Sequence, residues 1–453
     1  MFLVEDKRIH DLNGKEILKG DYVLYWMQQS QRAVHNHALC HAVQLADSLN
    51  LPVIVFLGIT SDYPSANLRH FKFMIDGLAE TELSLREIGI KMVTWLIDPV
   101  EGVVRLSENA AVVVSDFGYL KHQVKWRKEA SLAVKCRFVA VESDVMVPVE
   151  TASSKEEYSA ATLRPKITEL MKFYADVPPV MKPSKSSLYF KINSADLSDC
   201  ELLLSDLKID RSVAPVTGIR GGTSAALNNL DNFIKKGLHI YHEKRSEPST
   251  GITSGLSPYI HFGQISTPYI AGKIMDIESP GRDTFIEELI VRRELGVNFV
   301  YYNTNYDSFE SIPAWAAATL KKHQSDKREY LYSKMELEMS LTHDINWNSA
   351  QNELVNTGKI HNYMRMYWGK KIMEWTESPE EAFDYMVEFN NRYALDGRDP
   401  NSYAGIAWCF GKHDRPWKER PVFGTVRYMN ENGLKRKFDM SGYNTKYSSN
   451  KQT

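Results

Sequence analysis

The chain is short of the features that define several large protein classes. Its 453 residues hold four cysteines, Cys40, Cys136, Cys200 and Cys409, far apart and without a CxxC pair. That spacing excludes a disulfide framework and offers no zinc-ligand pattern, so no metal site is expected and a reducing compartment fits best. No run of about 18 apolar residues occurs, and the amino-terminal MFLVEDKRIHDLNGKE carries charges where a signal peptide needs an apolar core. These absences predict a soluble, intracellular chain with no membrane association. There is no internal repeat and no excess of one charge, the formal net value being -2. The first strand-like run is not followed by GxGxxG, so the usual dinucleotide fingerprint is missing and an α/β pattern by itself implies no NAD.

What is present is an ordinary globular composition, 43% hydrophobic and 25% charged. Its length exceeds what one core usually serves, which predicts two domains. Between residues 21 and 143 short β-branched runs, DYVLYWM, PVIVFLG, KMVTWLI, AAVVVSD and RFVAVES, alternate with amphipathic segments such as HNHALCHAVQLADSLN and NLRHFKFMIDGLAETELSLREIG. Continuous apolar strands separated by helices imply a parallel sheet covered on both faces, hence a doubly wound α/β domain over residues 1–150. Residues 151–228 include stretches rich in Ser, Gly and Pro with weak periodicity, the composition of an interdomain linker. From residue 229 to 453 the apolar period is 3.6, as in DTFIEELIVRRELGVNFVYYN, and predicts an all-α domain.

Four stretches could carry chemistry. In TSGLSPYIHFGQIS, Ser257 and Pro258 read as an N-cap hydroxyl followed by proline at the first helical position. The amides and hydroxyls of Thr253, Ser254, Gly255, Leu256 and Ser257 form either a plain cap or an anion site. DGRDPNSYAGIAW is a turn-rich loop before a helix, whose Asp396 needs a charged partner that Arg365 could supply. NYMRMYWGKKIMEW places Trp368 and Trp375 seven residues apart, within roughly 20° on a helix and about 10.5 Å apart along its axis; such a pair is a core stripe or an electron-hopping wire, and spacing alone does not separate the two. Finally, from Asn401 to Thr453 the sequence has ten Lys or Arg against four Asp or Glu, together with Trp408 and Trp417.

The combination YWMQQSQR, TLRPK, LSPYIHFGQIS, EELIVRRE, VYYN, HDINWNSAQNELVNTGKIHNYMRMYWGKKIMEW and DGRDPNSYAGIAW resembles the class II cyclobutane pyrimidine dimer photolyases, within the photolyase and cryptochrome superfamily. The likeness runs from about residue 20 to about residue 447 and is specific, because the motifs are long and ordered. One departure is HNHAL, where His37 stands in place of a tryptophan common in the family.

The resemblance implies FAD in the helical domain, with the TSGLS segment and Tyr241 as cofactor contacts, Arg365 and Asp396 as a salt bridge beside the ring system, and Asn390 facing flavin N5, where a polar group tunes the cofactor's protonation. Asn391 is the alternative for that last role. It makes Trp368 the flavin-proximal electron donor, Trp347 the middle relay and Trp375 the outer one, so the stripe is core and wire together. It gives Glu288 a hydrogen bond to the dimer, makes Met366 and Trp408 walls of the dimer pocket, sends Arg245 into the gap left by the flipped dinucleotide, and turns Arg415, Trp417 and Arg427 toward the duplex. The implied activity is light-driven repair by electron transfer from excited reduced FAD to a flipped-out dimer. The expected partner is damaged double- or single-stranded DNA, met by a monomer in the cytoplasm or nucleoid, or in a eukaryotic nucleus. The resemblance also allows a second, antenna chromophore in the first domain, whose identity the sequence does not give. The competing readings are a cryptochrome-like blue-light photoreceptor on the same scaffold and a nucleotide-binding α/β protein that binds nucleic acid.

Overall fold

β-branched side chains pack well on a pleated surface, and all five apolar runs form strands in the computed structural model, which describes residues 3–448. They are β2 (Tyr22–Trp26), β3 (Val53–Ile59), β4 (Lys91–Leu96), β5 (Ala110–Asp116) and β6 (Arg137–Val141). A sixth strand, β1 (Ile9–Asp11), pairs antiparallel with β6 at the sheet edge, Ile9 opposite Val141. The sequence pattern missed β1 because three residues, two of them His10 and Asp11, give no alternation to detect. All other pairings are parallel, and the strand order is β1-β6-β5-β2-β3-β4.

Period-two alternation divides the strand side chains between two cores. Val23, Tyr25, Val55, Leu57, Val112 and Val114 meet Ala38, Val43, Phe71 and Leu78 of helices α1 (His37–Leu49) and α2 (Leu68–Glu87) on one face. Leu24, Trp26, Ile54, Phe56, Val113 and Phe138 meet Val103, Leu106, Ala130 and Val134 of the α3 (Pro99–Ser107) and α4 (Lys121–Ala133) side on the other. Both faces being covered explains why the strands read as unbroken apolar runs. At the carboxyl end of β5, the buried Asp116 accepts hydrogen bonds from the main-chain N–H groups of Gln28, Gln29 and Ser30 and from the Tyr25 hydroxyl, at 2.9–3.2 Å. Arg32 pairs with Asp144 at 2.6 Å. The YWMQQSQR motif is therefore a turn tied down by buried carboxylates. His37, at the departure from the family pattern, begins α1 fully buried, and burial together with Arg8 and Arg32 holds its pKa well below the ordinary value.

The chain divides into two compact units. One comprises residues 1–152, 167–232 and 255–277, the other residues 153–166, 233–254 and 278–453. The second is helical. Its principal helices are α5 (Arg293–Tyr302), α6 (Ile345–Thr357), α7 (Asn362–Trp375), α8 (Pro379–Tyr393) and α9 (Pro400–Cys409). Their ends follow local chemistry. Asp344 caps α6 by accepting from the Asn346 and Trp347 N–H groups, and Gly358 closes it at φ +67°. Ser378 with Pro379 opens α8, and Asp399 with Pro400 opens α9. Among the described residues no helix is long and apolar enough to cross a membrane.

Candidate functional site

The centre of the helical unit is α7. Tyr367, Trp368, Gly369, Lys370, Lys371, Ile372, Met373 and Trp375 are all buried along it, so neighbours enclose it on nearly every side. The α9 helix comes closest at Gly369, where an added Cβ would lie 2.7 Å from Cys409 Sγ and 3.1 Å from Met386 Sδ. A side chain at this position would force the Cys409 or Met386 sulfur to shift.

Trp368 and Trp347 are locked through their indole N–H groups. Trp368 Nε1 donates to Gln351 Oε1 at 2.8 Å, and Trp347 Nε1 donates to the Trp368 carbonyl at 3.0 Å. The Trp347 and Trp375 rings stand edge to face with centroids 5.5 Å apart. Each indole buries about 150–250 Å², about 4–6 kcal/mol of transfer free energy at 25 cal/mol per Å², which makes all three core residues whatever else they do. Trp375 is only 2% exposed and does not itself reach solvent. Aromatic contact continues outward from it to Tyr332 at 5.4 Å and His343 at 5.3 Å, and His343 stacks at 3.8 Å on Tyr330, which is 41% exposed. Neither Tyr330 nor Tyr332 was singled out from the sequence, because they lie on a segment without periodicity.

One turn earlier on α7, Arg365 Nη1 donates to Asn390 Oδ1 at 2.7 Å, and Nη2 lies 3.5 Å from Asp396 Oδ1. The two neighbouring asparagines of α8 differ. Asn391 is held on both sides, its amide donating to the Tyr403 hydroxyl and its Oδ1 accepting from Arg398 N. Asn390 keeps a buried Nδ2 with no protein partner. An orphaned buried donor costs roughly 1–3 kcal/mol unless something accepts from it. A buried amide donor, held in place by a guanidinium that also faces a carboxylate, suits a flat heterocycle with acceptor atoms on its edge; the residues fit a flavin.

The segment EELIVRRE departs from the expected α-helix. Glu287–Arg292 widen into a π-helical turn, a feature concentrated at functional sites and without a sequence signature. Its two adjacent carboxylates have different partners. Glu287 takes a bidentate bond from Arg164 of the TLRPK motif, at 2.9 and 2.7 Å, and a third from Arg292, and the Arg164 guanidinium holds its pKa below the ordinary carboxylate value. Glu288 instead pairs with Arg245 at 3.0 Å. Tyr241 lies beside this pair, its ring packed on Phe233 and Phe285, and burial followed by the Glu288 charge pushes its phenol up to about 12.

A second aromatic and cationic group forms around the end of α9. The Arg427 guanidinium lies 5.6 Å from the Trp408 ring centroid and 4.6 Å from that of Trp417, and Arg415 lies 5.7 Å from Trp417. Trp417 is 41% exposed. These four residues, two of them far along a basic segment, come together as cations interleaved with indoles. Met366 is half-buried on α7. Lys451 of the basic tail lies outside the described residues.

The TSGLS segment is corrected in one detail. The short helix runs Ser257–His261, with Leu256 in the cap position and no side-chain cap bond, so Ser257 is the first helical residue and not its cap. Gly255 adopts φ +66°, and a Cβ there would meet nothing nearer than Asn229 Nδ2 at 3.9 Å. Thr253 and Ser254 end one segment of the helical unit, and Gly255, Leu256 and Ser257 begin a segment of the other.

Comparison with known proteins follows the same lines. A family profile described as DNA photolyase matches residues 23–184. The deoxyribodipyrimidine photo-lyase of Methanothermobacter thermautotrophicus is 48% identical over 446 residues, spanning 97% of this chain and 98% of the relative. A class III photolyase from Agrobacterium tumefaciens superposes with a TM-score of 0.72 at 19% identity, covering 95% of this chain and 87% of its own. A cryptochrome from Synechocystis sp. PCC6803 also gives 0.72, at 13% identity, with 94% and 88% covered. Equal scores at such low identity describe the shared fold and do not choose between repair and signalling.

The close approach of α7 and α9 is testable. Gly369→Ala is expected to destabilise the protein by about 1–3 kcal/mol through overpacking, and Cys409→Ala added to it should recover part of that loss. Equal destabilisation by Gly369→Ala in both backgrounds, measured by denaturant unfolding, would show that the Sγ contact is not the constraint.

Proposed function

Because the chain belongs to the DNA photolyase family, we propose that it carries out light-driven repair of cyclobutane pyrimidine dimers in DNA, as a class II member of that family. The observation that carries the reading is the buried, unpartnered Asn390 Nδ2 beside Arg365, a donor that a flavin edge would satisfy. When bound, FAD supplies the light-absorbing electron donor. Arg365, Asn390 and Asp396 hold it from the ring side, and Tyr241, Thr253, Ser254, Gly255, Leu256 and Ser257 are its further contacts. The helical unit, which holds most of residues 229–453, is the catalytic portion and residues 1–150 an antenna-type portion for a second chromophore; residues 151–228 are divided between the two units and form no separate linker, and residues 255–277 belong to the first.

The remaining work falls to side chains that place the lesion. A dimer pairs poorly, so extruding it costs less than flipping intact bases. Trp408 and Met366 supply apolar walls. Arg415, Arg427 and Trp417 face the duplex, giving sequence-independent affinity through phosphate and stacking contacts. Glu288, once it has left the Arg245 ion pair and taken up a proton from solvent, donates its carboxyl O–H to a dimer carbonyl, a bond that strengthens as that carbonyl gains negative charge, so its value is concentrated in the reacting state. Arg245 fills the gap left in the helix. In the free protein these last two residues satisfy each other. Engagement of the lesion therefore exchanges one ion pair for two separate contacts, and the roles of Glu288 and Arg245 begin together. Trp368, Trp347 and Trp375 conduct electrons inward, with Tyr332, His343 and Tyr330 continuing the path to solvent. The protein acts as an intracellular monomer, in cytoplasm or nucleoid or in a eukaryotic nucleus, on damaged double- and single-stranded DNA; its four free cysteines suit a reducing compartment.

The deciding experiment uses dimer-containing oligonucleotide with the purified flavoprotein, chemically reduced, in blue light and in darkness. Recovery of base absorbance in light alone is expected; absence of recovery in light would sink the repair reading and favour a photoreceptor. In the same preparation, Trp368→Phe should abolish photoreduction of the oxidised flavin while leaving repair by the chemically reduced protein intact. Normal photoreduction in that variant would remove the wire.

For the ion pair, Glu288→Gln should lower the yield of dimer splitting severalfold while changing affinity for damaged duplex by no more than about fivefold, since a partly exposed pair contributes at most about 1 kcal/mol. Arg245→Ala should weaken damaged duplex and leave damaged single strand nearly unchanged. Equal loss on both substrates, or a Glu288→Gln affinity loss as large as its yield loss, would contradict the exchange.

A further inference from the structure

Lys370 is 1% exposed, at the centre of a helix that is itself buried. It follows Trp368 by two positions, about 200° around α7, and so faces away from the indole relay. Its ammonium donates to the carbonyl oxygen of Cys409, the last residue of α9, and lies 5.5 Å from the ring centroid of Trp408. Among the described residues no carboxylate lies within ion-pair distance of it, and Asp414 acts on its charge only from further off. A buried ammonium without a close carboxylate is strongly disfavoured, and a methionine would fill the same volume at far lower cost. The contacts that compensate it are specific. The carboxyl end of a helix presents unsatisfied carbonyls and a partial negative charge, and an indole face attracts a desolvated cation more strongly than an exposed one.

We propose that Lys370 is a positioning residue that fixes the Trp408 indole for the lesion, by gripping the end of α9 through the Cys409 carbonyl and the ring face through its charge. The proposal rests on the repair reading, in which Trp408 walls the dimer pocket. Arg427 approaches the same indole at 5.6 Å. Trp408 is thus loaded by two cations, of which Lys370 is buried and Arg427 is half-buried.

Burial lowers the Lys370 pKa from 10.5 to about 8; the groups that face it are the Cys409 thiol, Asp414 and Arg427, and no histidine is among them. The Cys409 thiol is itself pushed up to about 11 by burial, so it stays neutral through the same range. Below about pH 8 the ammonium is charged and the grip is present; above it the grip is lost. The stability linkage has the opposite sign. Between about 8 and 10.5 the unfolded chain holds a proton that the folded chain has released, so this group makes folding more favourable as pH rises through that window. A merely structural lysine would follow stability, whereas a positioning lysine makes lesion affinity fall while stability rises.

The test labels the holoprotein with 5-fluorotryptophan, assigns the Trp408 resonance with Trp408→Phe, and follows it by fluorine NMR from pH 6.5 to 9.5. Affinity for dimer-containing and undamaged duplex is measured over the same range. The expected result is a Trp408 resonance that titrates near pH 8, a wild-type affinity for the lesion that drops about tenfold across that transition, on the scale of a desolvated cation–π contact, and little parallel change for undamaged duplex. Lys370→Met should flatten both profiles. If that variant does not fold, the wild-type profiles decide alone. A Trp408 resonance that does not move between pH 7 and 9.5 overturns the contact, and one that moves without any change in lesion affinity overturns the positioning role. A wild-type protein that binds no lesion at any pH refutes the repair reading, and the positioning role with it, while the fluorine titration still decides the contact between Lys370 and Trp408.

Discussion

The close approach of two helices at Gly369 is the constraint on which the rest of the helical unit depends. Cys409 Sγ and Met386 Sδ fill the space a side chain on residue 369 would need, so α7 is held against side chains of both α8 and α9. Trp368 goes to Gln351 and Trp347, Lys370 to the end of α9, and Trp408 comes alongside. The price of such tight packing is intolerance: interiors at crystal density transmit even a one-carbon change.

Charge in this unit is distributed by how each group is compensated. Arg365 is shared between the Asn390 amide oxygen and Asp396. Glu287 is saturated by two arginines, while its neighbour Glu288 has one, Arg245, through a partly exposed pair. The saturated carboxylate suits scaffolding and the singly paired one suits exchange, since a weak exposed pair can be broken at small cost. The two adjacent glutamates point apart because they are one position apart on a helix, about 100° in an α-helix, and both lie on the π-helical turn Glu287–Arg292.

The aromatic residues stabilise the fold independently of the electron path proposed for them. Burial of Trp347, Trp368 and Trp375 stabilises the helices that carry them; hydrogen bonds hold the indoles of Trp347 and Trp368, and the Trp347 and Trp375 rings stand edge to face. A rigid, dry indole pair is also what low-reorganisation electron transfer needs. Because Trp375 is sealed, the outermost contacts pass to Tyr332, His343 and the half-exposed Tyr330.

By itself the sequence determined the parts of the protein that follow from period and composition. Apolar runs of five to seven residues between amphipathic segments meant a parallel, doubly covered sheet, and a 3.6-residue period meant helices. The one cap read from the sequence, Ser257, is instead the first helical residue, because the local pattern of Ser before Pro does not fix the helix start to the residue. Individual site residues were legible only through long motifs that resemble a known family. Tertiary structure decided the rest. Strand β1 was too short to show a period. The π-helical turn at Glu287–Arg292 has no local signature. The pairings of Arg245 with Glu288, of Arg365 with Asn390 and of Lys370 with Trp408 join residues 25 to 43 positions apart. Such contacts arise from which helix faces meet, and a linear pattern records only which face is apolar. On α7 even that record fails, because a helix enclosed on all sides buries its lysines along with its tryptophans and shows no polar face to read.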